Sequence, residues 1–431
     1  MNKRPFIILS AFLLLFSLIE KGQATETYRP ETSVAGFIQL PGSGRQVYNF
    51  NPGWRFFRGD VRGAEAVNFD DRSWNVVSTP HTVELMPAEG SGCRNYQGPA
   101  WYRKHFVLPA ETKGKRVVLH FEAAMGKQIL YLNGKRIQEH LGGYLPFTLD
   151  LTANGVQAGD SCLLAVFTDN SDDKSYPPGK RQYTLDFAYH GGIYRDVWMI
   201  AKSPVAITDA IDSQIVGGGG VFVHFDKISE KSAQVYVNTE VQNDDARSES
   251  VTVETTLTDA DGKVIKRSSG KLSLKPGEKK SIRQQMEVKN PTLWSPDTPY
   301  LYRVQSRIKK GNKSIDGGIT RVGIRLAEFR GKDGFWLNGK PYESPLIGAN
   351  RHQDFAVVGN AVANSIHWRD AKKLRDAGMK VIRNAHCPQD PAFMDACDEL
   401  GLFVIVNTPG WQFWNDAPEF AQRVYSDIRN L

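Results

Sequence analysis

The spacing of apolar residues changes once along the chain, near residue 328, and this change limits the folds that the chain can adopt. Before that point, short runs alternate apolar and polar residues, as in the segment "QILYLNGKRI". Such alternation predicts half-buried strands, and Asn133-Gly134 predicts a two-residue hairpin turn. Beyond it, helical spacing is followed by a short apolar run, as in "RDAKKLRDAGMKVIRN". The sequence therefore predicts an all-β part followed by an αβ part with a parallel sheet.

The all-β part divides near Pro204, within the segment "AKSPVAI". The runs between about residues 48 and 202 are typical of a β-sandwich. The runs between about 204 and 325, with turns at "DADG" and "KPGE", are typical of an immunoglobulin-like sandwich. Two successive sandwich domains are therefore expected before the αβ part.

Three strands are expected in the αβ part. They are predicted near Ser344 to Gly348, near Lys380 to Ile382 and near Leu402 to Val406. A further helix is predicted to follow, with Asp416 as its N-cap and Pro418 near its first position.

The N-terminus has the features of a secretory signal. Lys3 and Arg4 precede an apolar run, Phe6 to Ile19, and small residues follow at Gly22 to Ala24. This order is that of a signal peptide, and the run is shorter than a membrane-spanning helix requires. We predict a signal peptide over residues 1–24, export to the periplasm or the extracellular space, and no membrane span after cleavage.

Cysteine number and charge exclude several classes of protein. The four cysteines, Cys93, Cys162, Cys387 and Cys397, are too few for a disulfide framework and lack zinc-site spacing. Unpaired thiols are expected, with a Cys387–Cys397 bridge as the alternative. The net charge of +7 comes from scattered Lys and Arg without a nucleic-acid motif. We therefore expect no nucleic-acid partner, and attraction to acidic glycans is the alternative to a merely solvated surface.

Ten motifs in sequence order carry a resemblance to a known family. They are "DDRSWNVVSTPHT", "AWYRKHFVLP", "YLNGKRIQEHLGGYLPFTLDLT", "DFAYHGGIYRDVWM", "PTLWSPDTPYLY", "RVGIRLAEF", "FWLNGKPY", "GANRHQDF", "VIRNAHCP" and "CDELGLFV". With them the chain resembles glycoside hydrolase family 2, which contains β-galactosidases, β-glucuronidases and β-mannosidases. The resemblance implies a multidomain β plus α/β fold: a jelly-roll sugar-binding domain over 25–203, an immunoglobulin-like sandwich over 204–327 and the N-terminal part of a (β/α)8 barrel over 328–431.

The resemblance also implies a function. It points to an exo-acting, retaining β-glycosidase of carbohydrate catabolism that cleaves a terminal β-linked sugar and needs no cofactor. A β-galactosidase is favoured, because "GANRHQDF" and "GGIYRDV" are closest to that branch, and a β-glucuronidase is the alternative. A non-catalytic or vestigial sugar-binding protein is a third interpretation. An oligomer and a structural or active-site cation are left open.

Retaining hydrolysis needs two carboxylates about 5 Å apart, one as the acid/base and one as the nucleophile. In the family both are glutamates at the ends of later barrel strands, so both are expected beyond Leu431. The chain of 431 residues is thus expected to hold the sugar-binding half of an active site and to lack activity by itself.

Six residues are predicted to line the substrate pocket, because they match family motifs beyond barrel strands or in the loop that reaches them. They are Asp186, Arg351, His352, His386, Asn407 and Trp411. Asp186 would accept hydrogen bonds from sugar hydroxyls, His386 would donate one, and Trp411 would stack on the sugar.

Structural alternatives exist for four of these residues. Asp186 could pair with Arg195 or Arg181, and Arg351 with a carboxylate across the barrel mouth. His386 could cap the following helix, and Trp411 could belong to a core. We also expect Arg195 and Asp196 to hold the jelly roll against the barrel, and Glu399 to be structural.

Two departures from the family pattern bear on specificity. Cys387 stands where the family usually has tyrosine, and Asn407-Thr408 stand where β-galactosidases often carry a carboxylate. The second departure weakens the assignment to galactose and removes one candidate metal ligand.

Overall fold

A computed structural model describes residues 30–87, 95–409 and 414–431 of the chain. The predicted signal peptide lies outside these residues and stays a prediction. Within the described ranges, no helix combines the length and the apolar character that a membrane crossing requires.

Two antiparallel sheets form the first sandwich. Its strands are β1 (Gln46–Asn49), β2 (Trp54–Arg58), β3 (Asn75–Val77), β4 (Pro99–Val107), β5 (Arg116–Phe121), β6 (Lys127–Leu132), β7 (Lys135–Leu141), β8 (Phe147–Asp150), β9 (Ser161–Asp169) and β10 (Val197–Lys202). One sheet has the order β1-β10-β5-β8 and the other the order β3-β2-β4-β9-β6-β7. Alternate residues such as Trp54, Leu119, Leu130 and Leu164 are fully buried between them, as the sequence pattern predicts.

The predicted hairpin turn is confirmed. β6 and β7 pair antiparallel on either side of Asn133 and Gly134, whose φ angles are 50° and 81°. Both residues have the left-handed backbone conformation that the favoured two-residue hairpin turn requires. Asn and Gly adopt this conformation at little cost in free energy.

The second sandwich is also built from antiparallel strands. They are β11 (Val205–Ile207), β12 (Val221–Asp226), β13 (Ser232–Asn243), β14 (Glu249–Thr258), β15 (Val264–Leu274), β16 (Lys279–Lys289), β17 (Tyr302–Lys310) and β18 (Lys313–Val322). A short helix, α1 (Ala210–Ser213), follows β11. β13 pairs with β11, β12 and β16, and the facing sheet has the order β15-β14-β17-β18. Val235, Val237, Leu257 and Val304 are fully buried in the core.

The αβ part begins with a small antiparallel sheet and continues with a parallel one. The antiparallel strands are β19 (Ala327–Phe329), β20 (Phe335–Leu337) and β21 (Lys340–Pro341), and the parallel strands are β22 (Gly348–Arg351), β23 (Val381–Asn384) and β24 (Phe403–Ile405). The helices are α2 (Asn364–Asp376), α3 (Pro391–Leu400) and α4 (Pro418–Asn430). α2 and α3 cross over between neighbouring strands and bury Ala371, Phe393 and Ala396 with Ile382. This alternation is the beginning of a (β/α)8 barrel and confirms the predicted fold class.

The first parallel strand was predicted too early. It begins at Gly348 rather than near Ser344, since Pro345 has no N–H to give to a sheet. In its register Gly348 faces Val381, and a Cβ on Gly348 would lie 2.0 Å from the Val381 carbonyl oxygen. Asn350 and Arg351 therefore lie within the strand, whereas the family motif predicts Arg351 beyond it.

The predicted cap of α4 is also wrong in detail. Ala417 is the N-cap of this helix, without a side-chain cap, and Asn415 Oδ1 accepts from the Ala417 N–H at 2.9 Å. Asn415 thus takes up one amide near the helix start, where Asp416 had been expected to act. Pro418 is the first helical residue, as predicted.

A buried arginine joins the jelly roll to the barrel part. Arg195 Nη1 donates to the Tyr144 carbonyl at 3.1 Å, and Nη2 donates to Gln353 Oε1 at 2.5 Å and to the Pro388 carbonyl at 2.8 Å. The neighbouring Asp196 accepts from Asn364 Nδ2 at 2.9 Å. The prediction that Arg195 and Asp196 hold the two domains together is confirmed.

Glu399 has the structural role that the sequence predicted. Its carboxylate accepts from Arg321 of β18 and from Trp368 Nε1 at 3.3 Å. Arg321 also pairs with Asp395 at 3.1 Å. These bonds attach α3 to the second sandwich.

We predict that Arg195→Met lowers the free energy of unfolding by about 3–5 kcal/mol, because Gln353, Pro388 and Asp390 would lose a buried cationic partner. Arg72→Met is the matched control, since Arg72 and Asp70 form an ion pair with side chains 87% and 61% exposed. Urea unfolding of the parent and both variants measures the difference. Equal stability of the two variants would contradict the assigned role of Arg195.

Candidate active site

Two histidines meet at the carboxyl edge of the parallel sheet. His352 directly follows β22, and His386 follows β23 by two residues. Arg351 and Asn384 are opposite each other in the parallel register, so the residues beyond them are brought side by side. The two imidazole rings have centroids 5.3 Å apart and are perpendicular. A cis peptide bond joins Ala385 to His386.

A loop of the jelly roll reaches the same place. Phe187 has its ring centroid 5.7 Å from that of His386 and 6.5 Å from that of His352. Asp186 Oδ2 lies 3.5 Å from His386 Nε2, and the Asp186 side chain is 60% exposed. The structure therefore brings together three of the six predicted residues, Asp186, His352 and His386, from two domains. Asp186 therefore contacts a histidine. The structural alternative predicted an ion pair of Asp186 with Arg195 or Arg181, but the Arg195 guanidinium donates to Gln353 and Pro388 instead.

Arg383 belongs to this cluster and was not among the predicted pocket residues. Its Nη1 lies 3.1 Å from His386 Nδ1. The signal that could have identified it is its position on the end of β23, three residues before His386. Burial lowers the pKa of His386, Arg383 and His352 lower it further, and Asp186 opposes them without restoring the ordinary value. The neutral imidazole is thus favoured.

Arg351 has the contacts of the structural alternative. It is 6% exposed, and its guanidinium donates to Gln389 Oε1 at 2.5 Å and to Asp370 Oδ2 at 2.8 Å. The same group lies 4.0 Å from the ring centroid of Phe393. These bonds direct Arg351 into the packing between β22 and the helices, and the geometry supports a role in holding the strand ends rather than in contacting a sugar.

The two remaining predicted residues are Asn407 and Trp411. Asn407 is half-buried, two residues beyond β24 and at the same edge of the sheet as the histidines. Trp411 lies outside the described residues and stays a prediction. Trp414 is 54% exposed, and its ring centroid lies 5.9 Å from that of Phe420.

Cys387 is buried and does not form a bridge. Cys162, Cys387 and Cys397 are free thiols, so the alternative Cys387–Cys397 disulfide is wrong, while Cys93 lies outside the described residues. Cys387 packs with Met125, Tyr144 and Tyr194 at the jelly roll, and burial raises the pKa of its thiol to about 12.

The cluster can exchange hydrogen bonds with a polyol. A carboxylate accepts from hydroxyl groups, and an imidazole N–H donates to them, which is the kind of convergent polar set that fixes a small ligand. Within the part of the chain that the structure describes, no group of three His, Cys, Asp or Glu side chains is arranged to hold a metal ion.

Three domain models of one family match the chain in order. "Glycosyl hydrolases family 2, sugar binding domain" matches residues 65–204. "Glycosyl hydrolases family 2" matches residues 219–325, and "Glycosyl hydrolases family 2, TIM barrel domain" matches residues 329–424.

Similar proteins carry two kinds of name. A β-galactosidase of Thermoanaerobacter pseudethanolicus is 34% identical over 374 residues, which are 86% of this chain and 48% of that protein. A β-glucuronidase of Formosa agariphila is 32% identical over 381 residues, with coverage of 85% and 38%. The solved structure of Bacteroides uniformis β-glucuronidase 2, covalently bound to cyclophellitol-6-carboxylate aziridine, has a TM-score of 0.81 and 31% identity. The aligned residues cover 90% of this chain and 45% of the β-glucuronidase chain.

The chain spans about half or less of the length of these relatives. Over that span the likeness includes all three domains, and the models match them in the same order that the motifs and the sheets show. The chain therefore belongs to glycoside hydrolase family 2.

Proposed function

We propose that the protein is a retaining, exo-acting β-glycosidase whose first three barrel strands hold the terminal sugar. The observation that carries the proposal is the convergence of Asp186, His352 and His386 at the carboxyl edge of the parallel sheet. Active sites of (β/α)8 barrels lie at this edge. Family membership supports the same assignment.

Each side chain has a role in this proposal. Asp186 is exposed and acceptor-only, so it would receive hydrogen bonds from hydroxyls of the non-reducing sugar. His386 would donate to a neighbouring hydroxyl, and its bond would strengthen as charge develops in the transition state. Phe187, beside both histidines, would limit the pocket on its jelly-roll side. The acid/base and the nucleophile would come from glutamates on later strands.

A β-galactosidase is the leading specificity in our proposal, and a β-glucuronidase is the second candidate. Both names occur among the similar proteins. Asp186 adds a negative charge to the pocket, which suits a neutral sugar better than a uronate. A uronate would need cations nearby, and in the family these basic residues lie in later loops of the barrel.

We predict that the polypeptide of 431 residues hydrolyses neither nitrophenyl β-galactoside nor nitrophenyl β-glucuronide. Without a positioned acid/base and nucleophile, neither the covalent intermediate nor its hydrolysis can be formed. The parent and an Asp186→Ala variant are purified in parallel and assayed at high enzyme concentration. Activity present in the parent and lost in the variant would contradict the prediction, whereas equal activity in both would identify a contaminant.

In a polypeptide that carries the complete barrel, we predict that Asp186→Ala and His386→Ala each lower kcat/KM at least about tenfold. The hydrogen bond of the Asp186 carboxylate contributes roughly 1.5–3 kcal/mol, and about 1.4 kcal/mol corresponds to a factor of ten. The neutral His386 donor reaches the same range because its bond strengthens as charge develops in the transition state. Asp261→Ala, at an exposed turn of the second sandwich, is the control and should leave kcat/KM unchanged.

Melting temperature is measured on the same variants, because a structural role predicts a different result. If the variants show lowered melting temperatures but normal kcat/KM in the folded fraction, Asp186 and His386 do not contact the sugar. In the unsubstituted polypeptide with the complete barrel, the ratio of β-galactoside to β-glucuronide turnover decides between the two specificities.

A further inference from the structure

Arg383 faces one nitrogen of His386, and the chemistry of the two groups allows only one hydrogen-bonding arrangement. Arg383 Nη1 and His386 Nδ1 are 3.1 Å apart. A guanidinium has donors and no acceptor, so Nδ1 must accept the bond and cannot itself carry a proton. We propose that Arg383 is a positioning residue that fixes the His386 imidazole in the neutral form protonated on Nε2.

The other side of the ring agrees with this tautomer. His386 Nε2 lies 3.5 Å from Asp186 Oδ2, and an ionised carboxylate can only accept hydrogen bonds. A proton on Nε2 therefore points to an acceptor, while the lone pair on Nδ1 points to a donor. The opposite tautomer would place N–H against N–H at Arg383 and a lone pair against the carboxylate.

The doubly protonated ring is disfavoured by most of its surroundings. Among the described residues, the groups that face His386 include Arg383 near the end of β23, His352 beyond β22, and Asp186 with Phe187 on the jelly-roll loop. Burial, Arg383 and His352 lower the pKa of His386, and Asp186 raises it by less. A second proton would have to occupy Nδ1, where Arg383 already donates. The hydrogen bond and the charge of Arg383 thus favour the same neutral form.

This inference rests on the proposed function for its consequence. If the pocket holds a sugar, the Nε2–H of His386 is the donor for a hydroxyl that also bonds to Asp186. Arg383 would not touch the sugar, and it would act by deciding which imidazole nitrogen carries the proton. The charge that Asp186 brings to the pocket would then not be cancelled by an imidazolium.

The test is nuclear magnetic resonance of the chain with ¹⁵N-labelled histidine. The chain has nine histidines, and long-range ¹H–¹⁵N spectra report the tautomer and the pKa of each. The signal that disappears in His386→Gln belongs to His386. We expect the neutral form protonated on Nε2 in the parent.

Two substitutions test whether Arg383 sets this tautomer. Arg383→Met removes both donor and charge, so a form protonated on Nδ1 should become detectable beside the Nε2 form that Asp186 still favours, and the pKa of His386 should rise above that of the parent. Arg383→Lys retains a donor and a positive charge and should keep the parent tautomer. The remaining histidine signals show whether each variant is folded.

Three results would overturn the proposal: a proton on Nδ1 in the parent, an unchanged tautomer in folded Arg383→Met, or a lysine variant that behaves like the methionine variant. If Arg383→Met does not fold, the parent spectrum and Arg383→Lys decide the question. No sugar is present in these measurements. The tautomer can therefore be confirmed even if the kinetic variants show that the pocket does not hold a glycoside, and the two failures are distinguishable.

Discussion

The buried guanidinium of Arg195 is the contact on which the candidate site depends. Its hydrogen bonds end on Gln353, next to His352, and on the carbonyl of Pro388, two residues beyond His386. One side chain of the jelly roll therefore holds both loops that carry the pocket histidines. The same domain provides Asp186, so the distance between Asp186 and His386 is set by this attachment.

A fully buried charge needs compensation, and the surroundings of Arg195 supply it from the barrel side. Asp390 Oδ2 lies 3.7 Å from Arg195 Nε and 3.5 Å from His367 Nε2. Burial raises the pKa of Asp390. Burial also raises the pKa values of the neighbouring carboxyl groups of Glu122 and Asp196. The assembled ion pair gains little net stability, since both ions lose their hydration, whereas removing Arg195 is costly because it leaves its partners buried without a cation.

The sequence predicted the architecture because the signals for it are local. Alternation of apolar residues, the Asn133-Gly134 turn and helix spacing each depend on neighbours along the chain. The start of β22 was misplaced, because the pairing of Gly348 with Val381 depends on a distant segment. Near the start of α4, Asn415 rather than Asp416 accepts a backbone hydrogen bond, from the Ala417 N–H. The path of the preceding loop decides which of the two side chains can reach this amide.

The site was predicted in part for the same reason. Family motifs named Asp186, His352 and His386, but no local pattern shows that a jelly-roll loop and two strand ends meet. Arg351 could be assigned only when Asp370, His367 and Gln389 were seen around its guanidinium. Arg383 was not named as a pocket residue because its role depends on the rotamer of His386.

The central claim is that Asp186, His352 and His386 form one subsite for a terminal sugar. A crystal structure of a polypeptide with the complete barrel, soaked with galactose and separately with glucuronic acid, tests it most directly. The account predicts a pyranose with ring hydroxyls within hydrogen-bond distance, about 2.5–3.2 Å, of both Asp186 and His386 Nε2. A sugar bound elsewhere in the barrel, with these side chains in their present contacts, would contradict it.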